Sequence, residues 1–452
     1  IAPVPVRAEP EPAPVAVEPT PEPALAALEP APAKPPSAQP AEEPGTAKRF
    51  FNNVKKAVGL GPKDPAAAST PAPEAAQPSP TPAPTPIAKP PRPAPTTKPE
   101  PQPVAKVAPN PQLETSRRQM FERKIATAVE DAGDGGLAVR VDPAVKSLDP
   151  IKNFPITRLD LTGCVRISDL LPLHGTAVRW LSLNGCKDIE SLKGLELCPL
   201  TQLDLTGCVS LEKDLSSLKG KALTDLRLVT CEHLTSLAGI EGMPLSILDL
   251  SGCRRLQSIV QLQGMPLSHL WLAKCSRLTS LDGLVGMPLV ELDISGCDSV
   301  VSVAPLRGLP LTRLKIDACK RLPSLDGLQG MPLTELDLSR CSSLKGDLSG
   351  LQGMRLTRLV LMRCDRLSSL AGLTGNPLVS LEITSCENLT GDLSDLAGLP
   401  LTQLFLRDCP SIGSLNGLQK LPIKRLILAG CKRITDLSPV RDIPGIEVVR
   451  SD

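Results

Sequence analysis

The 452-residue chain contains no tyrosine, and its only aromatic residues are five phenylalanines and two tryptophans. Its three histidines, His174, His233 and His269, are too far apart to match a catalytic triad or a metal site. We therefore predict that the protein is not an enzyme and has no cofactor. No apolar run approaches the roughly 20 residues of a membrane-spanning helix. The net charge of +2 is too close to neutral for tight binding of nucleic acid, which is not expected as a partner.

One unit of 22 or 23 residues recurs through residues 156–431 and ends each time at a cysteine. Its cleanest copy is Gly-Met-Pro-Leu-Val-Glu-Leu-Asp-Ile-Ser-Gly-Cys, residues 286–297. A fixed period of this length is typical of a solenoid of stacked repeats. The cysteines are Cys164, Cys186, Cys208, Cys231, Cys253, Cys275, Cys297, Cys319, Cys341, Cys364, Cys386, Cys409 and Cys431.

Each repeat contains a short segment in which apolar and polar residues alternate. Leu292 and Ile294 are apolar, whereas Glu291 and Asp293 are polar. A period of two predicts a strand with one buried face and one solvated face. The segment that returns to the next strand is too short and too rich in glycine for an ordinary helix, so it predicts turns or 3₁₀ pieces.

The pattern Leu-x-x-Leu-x-Leu-x-x-Cys-x-x-Leu resembles bacterial-type leucine-rich-repeat proteins, with cysteine in the place often held by asparagine. Residues 248–253, Leu-Asp-Leu-Ser-Gly-Cys, carry this resemblance, which covers roughly residues 137–449. It implies an α/β solenoid: a right-handed superhelix with a parallel sheet on a concave, ligand-binding face and short 3₁₀ or turn segments on the convex face. The resemblance implies a binding geometry but no particular partner.

The resemblance also implies that the repeated cysteines form a structural ladder, each one buried and bonded to the loop backbone of a neighbouring repeat. No Cys-x₂-Cys pair suggests a metal site, and stacked thiols that point the same way are not expected to form disulfides. Cys198 lies outside the ladder, at a position that Met243 and Met265 hold in other repeats. So many reduced thiols favour the cytoplasmic side of the membrane.

Residues 1–112 contain 32 of the 50 prolines and predict a disordered, proline- and alanine-rich linker. Within it, residues 48–60 form a short basic amphipathic segment. This segment predicts weak contact with a membrane surface or a partner, or a transient helix that contacts neither. Because the chain begins at Ile1 and not at a methionine, we expect it to be either processed or a fragment of a longer protein, whose upstream segment would provide any membrane tether.

Residues 115–132 predict an amphipathic helix, with Phe121, Ile125, Ala128 and Val129 on one stripe. We interpret residues 113–155 as an N-terminal capping helix with a degenerate first repeat, since an exposed solenoid end needs such a cover. A leucine-rich-repeat domain then occupies residues 156–452, with about 13 repeats and a terminal half-repeat.

The outward positions of the strands are where a partner would be recognised. The middle outward position is an aspartate in every second repeat: Asp160, Asp204, Asp249, Asp293 and Asp337. This row is either part of a binding surface or a solvated face inherited by duplication. Exposed aromatic residues are the stronger candidates for binding hot spots. The predicted partner-binding residues are Trp180, Asp204, Arg227, Asp249, His269, Trp271, Glu291, Asp293, Arg313, Lys315, Glu335, Asp337, Arg358, Phe405 and Arg407.

A second candidate surface, the basic edge, follows the cysteines. Its residues are Arg166, Lys187, Arg254, Arg255, Lys320, Arg321, Lys432 and Arg433. Such an edge fits an anionic ligand, but the near-neutral balance of the chain argues against high affinity.

We predict a non-enzymatic, monomeric protein–protein interaction module that binds a protein partner through its concave face. One alternative is the accessory or sensor region of a bacterial signalling enzyme, such as a Ser/Thr kinase whose catalytic domain lies upstream of Ile1. Another is a secreted effector that binds host proteins. The residues that precede Ile1 would distinguish these functions.

Overall fold

The computed structural model describes residues 111–211 and 215–451. The predicted linker up to residue 110 and its basic segment, residues 48–60, lie outside the described residues. The first described element, helix α1 (Pro111–Glu122), begins two residues inside the segment predicted to be linker.

A hairpin follows α1, and its strands are β1 (Ala126–Asp131) and β2 (Leu137–Val141), which pair antiparallel. The prediction of one helix over residues 115–132 is therefore wrong in its second half. The helix stops before Lys124, which has a positive φ of 54°. Val129 pairs with Val139 across the hairpin, and pairing of β-branched residues is favoured over continuation of the helix. Phe121, expected on the buried stripe, is 43% exposed.

Fourteen strands follow the hairpin, one in each coil of the described chain. They are β3 (Ile156–Asp160), β4 (Trp180–Ser182), β5 (Gln202–Asp204), β6 (Asp225–Arg227), β7 (Ile247–Asp249), β8 (His269–Trp271), β9 (Glu291–Asp293), β10 (Arg313–Lys315), β11 (Glu335–Asp337), β12 (Arg358–Met362), β13 (Ser380–Thr384), β14 (Gln403–Arg407), β15 (Arg425–Ala429) and β16 (Glu447–Ser451).

From β2 to β10 and again from β11 to β16, neighbouring strands pair in parallel, with equivalent repeat positions opposite one another. Leu248, Leu270 and Leu292 therefore stack in one row on the inner side of the sheet, while Trp271 lies between Asp249 and Asp293 on the outer side. We call the outward side chains of β3–β15 the outer sheet face.

The segments that return from one strand to the next are turns and three-residue 3₁₀ helices, as the sequence predicts. The 3₁₀ helices are Asp149–Ile151, Leu171–Leu173, Ser216–Leu218, Val260–Leu262, Asp282–Leu284, Ala304–Leu306, Ser349–Leu351 and Ser394–Leu396. Near the C-terminus the return is instead a four-residue helix, α2 (Ser438–Arg441). The terminal half-repeat predicted there includes this helix and β16.

The core lies between the strands and the returns of successive coils. Leu292 on β9, Ile294 directly after it, and Leu281 and Leu284 from the return before it are all fully buried. One coil cannot cover these side chains alone, so the stack of coils supplies the core. This arrangement confirms the predicted solenoid.

The sheet is interrupted once in the described chain, between β10 and β11, where a ten-stranded sheet ends and a six-stranded sheet begins. One coil earlier, Ile294 N–H donates to Lys315 O at 2.8 Å. Among the described residues, no equivalent bond joins Ile316 to Asp337, although Ala318 N–H still donates to Ser339 O at 2.7 Å. We call this interruption the seam.

Candidate functional site on the outer sheet face

The repeated cysteines lie inside the stack, and each thiol donates to a backbone carbonyl of the preceding repeat. Cys253 Sγ lies 3.1 Å from Leu228 O, and Cys297 Sγ lies 3.1 Å from Leu272 O. Burial raises the pKa of Cys275 to about 12, so its thiol stays protonated at neutral pH. All fourteen cysteines are free and buried, including Cys198. This geometry gives the ladder cysteines a structural role and leaves no exposed nucleophile among them.

Cys198 and Lys221 hold the same position, at the end of the return, in consecutive repeats. Only Cys198 was identified from the sequence. Its thiol donates to Leu173 O at 3.0 Å. One repeat later the same position is Lys221, which is 9% exposed and donates to the carbonyls of Glu196 (2.9 Å) and Cys198 (2.8 Å). Burial lowers the pKa of Lys221. The sequence signal for Lys221 is a lysine at a position that methionine holds in other repeats. Its bonds to backbone carbonyls give this lysine a structural role.

Each aspartate of the alternating row accepts a hydrogen bond from the backbone two residues later. Asp249 Oδ1 accepts from Ser251 N–H and Asp293 Oδ1 from Ser295 N–H, both at 2.9 Å. Burial alone would raise the pKa of Asp160, but bonds from Thr162 and the Arg140 guanidinium hold that pKa below its ordinary value. The same bond occurs at Asp160, Asp204 and Asp337, at 2.8 to 2.9 Å. Each aspartate of the row therefore helps to end the strand on which it lies.

The structure brings together one group of the predicted binding residues, on β7–β10. Trp271 is half-buried, its indole N–H donates to Glu291 Oε1 at 3.2 Å, and its ring lies 5.9 Å from that of His269. The indole is thus held from two sides, and Asp249 and Asp293 flank it in register. We call Asp249, His269, Trp271, Glu291 and Asp293 the tryptophan cluster.

The two cations beside this cluster are already paired with it. Arg313 lies 3.1 Å from Glu291, and Lys315 lies 3.2 Å from Asp293. Both cations are exposed, whereas Asp293 is only 8% exposed. These contacts hold the β9 carboxylates on the β10 side of the cluster.

The remaining predicted residues are spread along the outer sheet face. Trp180 lies on β4 beneath Arg158, with 5.2 Å between the guanidinium carbon and the ring centre. Phe405 lies on β14 with Arg407 at 5.7 Å, and Arg407 also pairs with Glu382 at 3.3 Å.

Other predicted residues contact only their immediate neighbours or lie beyond the seam. Arg227 pairs with Asp225 of its own strand at 3.4 Å, and Asp204 is half-buried on β5. Glu335 and Asp337 lie beyond the seam on β11, and Arg358 on β12. The structure therefore separates these residues from the tryptophan cluster, except for Arg227, which lies in register with Asp249 on the neighbouring strand.

The basic edge is exposed, but part of its charge is paired. Arg254 lies 3.9 Å from Glu232, and Lys320 lies 3.1 Å from Asp298, in each case one repeat back. Such pairing weakens the attraction of this edge for an anionic ligand.

Over residues 111–211 and 215–451, no three His, Cys, Asp or Glu side chains are grouped as metal ligands would be. An open groove lies between α1 and the loops of residues 152–155 and 175–177, and Lys152 is the one charged residue in its lining. It contains no acid–base pair. None of the described helices is long and apolar enough to cross a membrane.

Comparisons with known proteins give only distant structural similarities. No family model matches the chain, and neither does any curated protein. An internalin (inlF) from Listeria monocytogenes is 20% identical with a TM-score of 0.35, over 60% of this chain and 85% of that one. The structure of TLR13 in complex with ssRNA13 is 17% identical with a TM-score of 0.26, over 73% of this chain and 67% of that one.

Both of these proteins contain leucine-rich repeats. Similarities of this size carry no information on function. The assignment here rests on the repeat pattern and on its coil of one strand and one turn or 3₁₀ return. The fold is a leucine-rich-repeat solenoid.

Proposed function

We propose that this protein binds a protein partner through the outer sheet face and catalyses no reaction of its own. The observation that carries the proposal is Trp271, a half-buried indole fixed by Glu291 and His269 in the middle of a regular polar surface. The chain has only two tryptophans, and both lie on this face.

A fixed aromatic side chain is suited to binding because little rotational freedom remains to be lost when a partner covers it. Tryptophan is also the residue most enriched at binding hot spots, where a large apolar surface is combined with one polar atom. The bond from the indole to Glu291 satisfies that polar atom before the partner arrives.

Support for a purely binding role comes from the separation of reactive groups. His269 lies on the outer sheet face, whereas His174 and His233 lie in return segments of other repeats. The cysteine thiols are buried in the stack. No nucleophile, base and enclosed pocket coincide in the described chain, so the proposal requires no catalytic step.

The test compares two surfaces of the full chain. A partner recovered with the full chain as bait is purified, and its dissociation constant is measured by calorimetry against the Trp271→Ala variant. We expect about a thirtyfold loss of affinity, or roughly 2 kcal/mol, with little change in the thermal midpoint because Trp271 is not part of the core.

The matched control is the double variant Arg254→Ala and Arg255→Ala, which alters the basic edge and leaves the outer sheet face intact. It should bind the partner as the wild type does. If Trp271→Ala binds normally and the double variant loses binding, the proposal is wrong and the basic edge is the binding surface.

A further inference from the structure

Three aromatic residues lie on the outer sheet face, and two of them already have a cation of their own. Arg158 lies over Trp180 at 5.2 Å, and Arg407 lies over Phe405 at 5.7 Å. Within the described chain, no arginine or lysine lies over Trp271. The face of an indole carries negative potential, so this ring has room for a cation that the protein does not supply.

The aspartate next to Trp271 also lacks a cation. Asp249 uses Oδ1 to accept from Ser251 N–H, and among the described residues no lysine or arginine pairs with its carboxylate. Two of its counterparts differ: Asp160 is paired with Arg140 at 2.7 Å, and Asp293 with Lys315 at 3.2 Å. Strands β7 and β8 are neighbours, about 4.8 Å apart, so the Asp249 carboxylate and the Trp271 indole border the same space.

Charge is unevenly distributed around the ring. The exposed cations Arg313 and Lys315 lie on the β10 side and are held by Glu291 and Asp293. On the β7 side Asp249 is unpaired, and Arg227, which lies in register with it on β6, is held by Asp225 of its own strand. A cation that approaches the indole is therefore attracted on the β7 side and repelled on the β10 side.

We infer that the space between Trp271 and Asp249 receives an arginine side chain from the partner protein, an inference that rests on the proposed function. A planar guanidinium can stack on the indole while one edge donates to the free oxygen of Asp249, which a compact ammonium does less well. The same arrangement, a guanidinium over an aromatic ring beside a carboxylate, occurs within this chain at Arg407, Phe405 and Glu382.

The composition of the chain allows a direct test. Because the protein has two tryptophans and no tyrosine, the Trp180→Phe variant leaves Trp271 as its single tryptophan. The full-length variant is titrated with an octapeptide of alternating arginine and serine, and with the same peptide in which citrulline replaces arginine. Citrulline keeps the shape and removes the charge. We expect saturable change in Trp271 emission with the arginine peptide, and affinity for the citrulline peptide lower by about fivefold or more.

Two matched controls locate the effect. The Trp271→Phe variant leaves Trp180, whose ring is already covered by Arg158, so its emission should not respond to the arginine peptide. In the Trp180→Phe background, Asp249→Asn keeps the acceptor for Ser251 N–H and removes the charge, and it should weaken arginine-peptide binding several-fold. Asp204→Asn makes the same change two repeats away and should have no effect.

The inference is overturned if the arginine peptide leaves Trp271 emission unchanged, if the citrulline peptide binds equally well, or if Asp204→Asn weakens binding as much as Asp249→Asn. None of these outcomes affects the proposed function, which depends on the affinity of the purified partner for Trp271→Ala. Normal affinity there would remove both the proposed function and the inference that rests on it.

Discussion

Strands β4–β11 are three residues long and strands β12–β15 are five, although the repeats on both sides of the seam have nearly the same length. In the short-strand repeats the chain turns at once, as where Cys253 N–H donates to Leu250 O at 3.1 Å. In the long-strand repeats the pairing continues for two more residues, from Val360 opposite Glu382 to Met362 opposite Thr384.

The alternating aspartates explain the difference. An aspartate that accepts from the backbone two residues later draws the chain into a turn and ends the strand. Strands β6 and β8 do not end at such an aspartate, but each lies between two strands that do. Neither neighbour therefore offers further residues with which β6 or β8 could pair. After Asp337 the aspartate is absent, and the middle outward positions are Val360, Glu382, Phe405 and Ile427. Three of these four residues favour strands, and the ladder lengthens.

The cysteine ladder changes with strand length. Between Cys186 and Cys341 the thiols lie 3.1 to 3.3 Å from the carbonyls that they contact one repeat back. For Cys386, Cys409 and Cys431, whose acceptors lie on five-residue strands, the distances are 3.6 to 3.8 Å. Cys364 follows a five-residue strand but its acceptor, Leu338, follows the three-residue β11, and its distance is 3.2 Å. A carbonyl engaged in the longer strand ladder is less available to the thiol. The comparison shows that a polar residue on the outer sheet face, by ending its strand, affects the thiol–carbonyl distances of the cysteine ladder inside the stack.

The largest effect is expected from placing a charge in the ladder. Cys297 is fully buried, so Cys297→Asp should cost several kcal/mol of unfolding free energy unless the carboxyl takes up a proton. Cys297→Ser keeps a donor for Leu272 O and should cost about 1–2 kcal/mol. Urea unfolding of the full chain at pH 7, followed by circular dichroism, measures both.

The same substitutions at Cys409 make this a test of the comparison, since Cys409 is equally buried but lies in the long-strand region. We expect Cys409→Asp to be as destabilising as Cys297→Asp. A much smaller loss at Cys409 would show that the second region packs less tightly. Equal stability of Cys297→Asp and Cys297→Ser would contradict the burial of that position.

A smaller effect is expected from removing one strand-ending aspartate. Asp249→Ala leaves Ser251 N–H without its acceptor and should cost about 1–2 kcal/mol in the same measurement. At the equivalent position of a long strand, Glu382→Ala removes only a partly exposed ion pair with Arg407 and should cost less than about 1 kcal/mol.

Asp249→Asn serves as the control, because its amide oxygen can still accept from Ser251 and its stability should match the wild type. If Asp249→Asn is as destabilising as Asp249→Ala, the charge and not the backbone bond matters. If Glu382→Ala is the more destabilising of the two alanine variants, the aspartates do not define the short-strand region.

Much of this fold could be predicted from the sequence because every repeat gives the same signal. The period of two placed Leu292 and Ile294 inward, and the glycine-rich returns excluded ordinary helices. The single copy near the N-terminus offered no such repetition, and there Ile125 and Val129 fitted a helical stripe as well as a strand. Pairing with residues 137–141 decided between the two, and that contact is not local.

The candidate site could be predicted as a set of outward positions but not as a group of contacts. Arg313 and Lys315 each lie between carboxylates on both neighbouring strands, and the sequence does not indicate which one they contact. In the structure they contact Glu291 and Asp293. Arg227, which is in register with Asp249, pairs instead with Asp225, and this leaves Asp249 without a cation. The sequence does not predict the seam, because the aspartate row indicates either a binding surface or a solvated face inherited by duplication and marks no point at which the sheet would be interrupted.

The position before each short strand is often a serine or threonine whose hydroxyl donates to a carbonyl one repeat back. Ser268 donates to Ser246 O at 3.0 Å, and Thr312 to Val290 O at 3.3 Å. Across the seam, within the described residues, Thr334 makes no such bond to Thr312. The amide of Arg313 donates to Val290 O at 3.1 Å, whereas the amide of Glu335 has no equivalent acceptor in the described part of the chain.

The smallest effect is expected when the same substitution, threonine to valine, is made on each side of the seam. Thr312→Val should lower the unfolding free energy by about 0.5–1 kcal/mol, because it removes a hydroxyl bond, whereas Thr334→Val should leave it nearly unchanged. Hydrogen exchange read by mass spectrometry supplies an independent measure, and a peptide that spans residues 334–338, at the seam, should exchange faster than one that spans residues 290–294, whose strand pairs on both sides. If the two peptides are equally protected and both substitutions are equally destabilising, β10 and β11 pair in solution, and the contrast between the regions reflects strand capping alone.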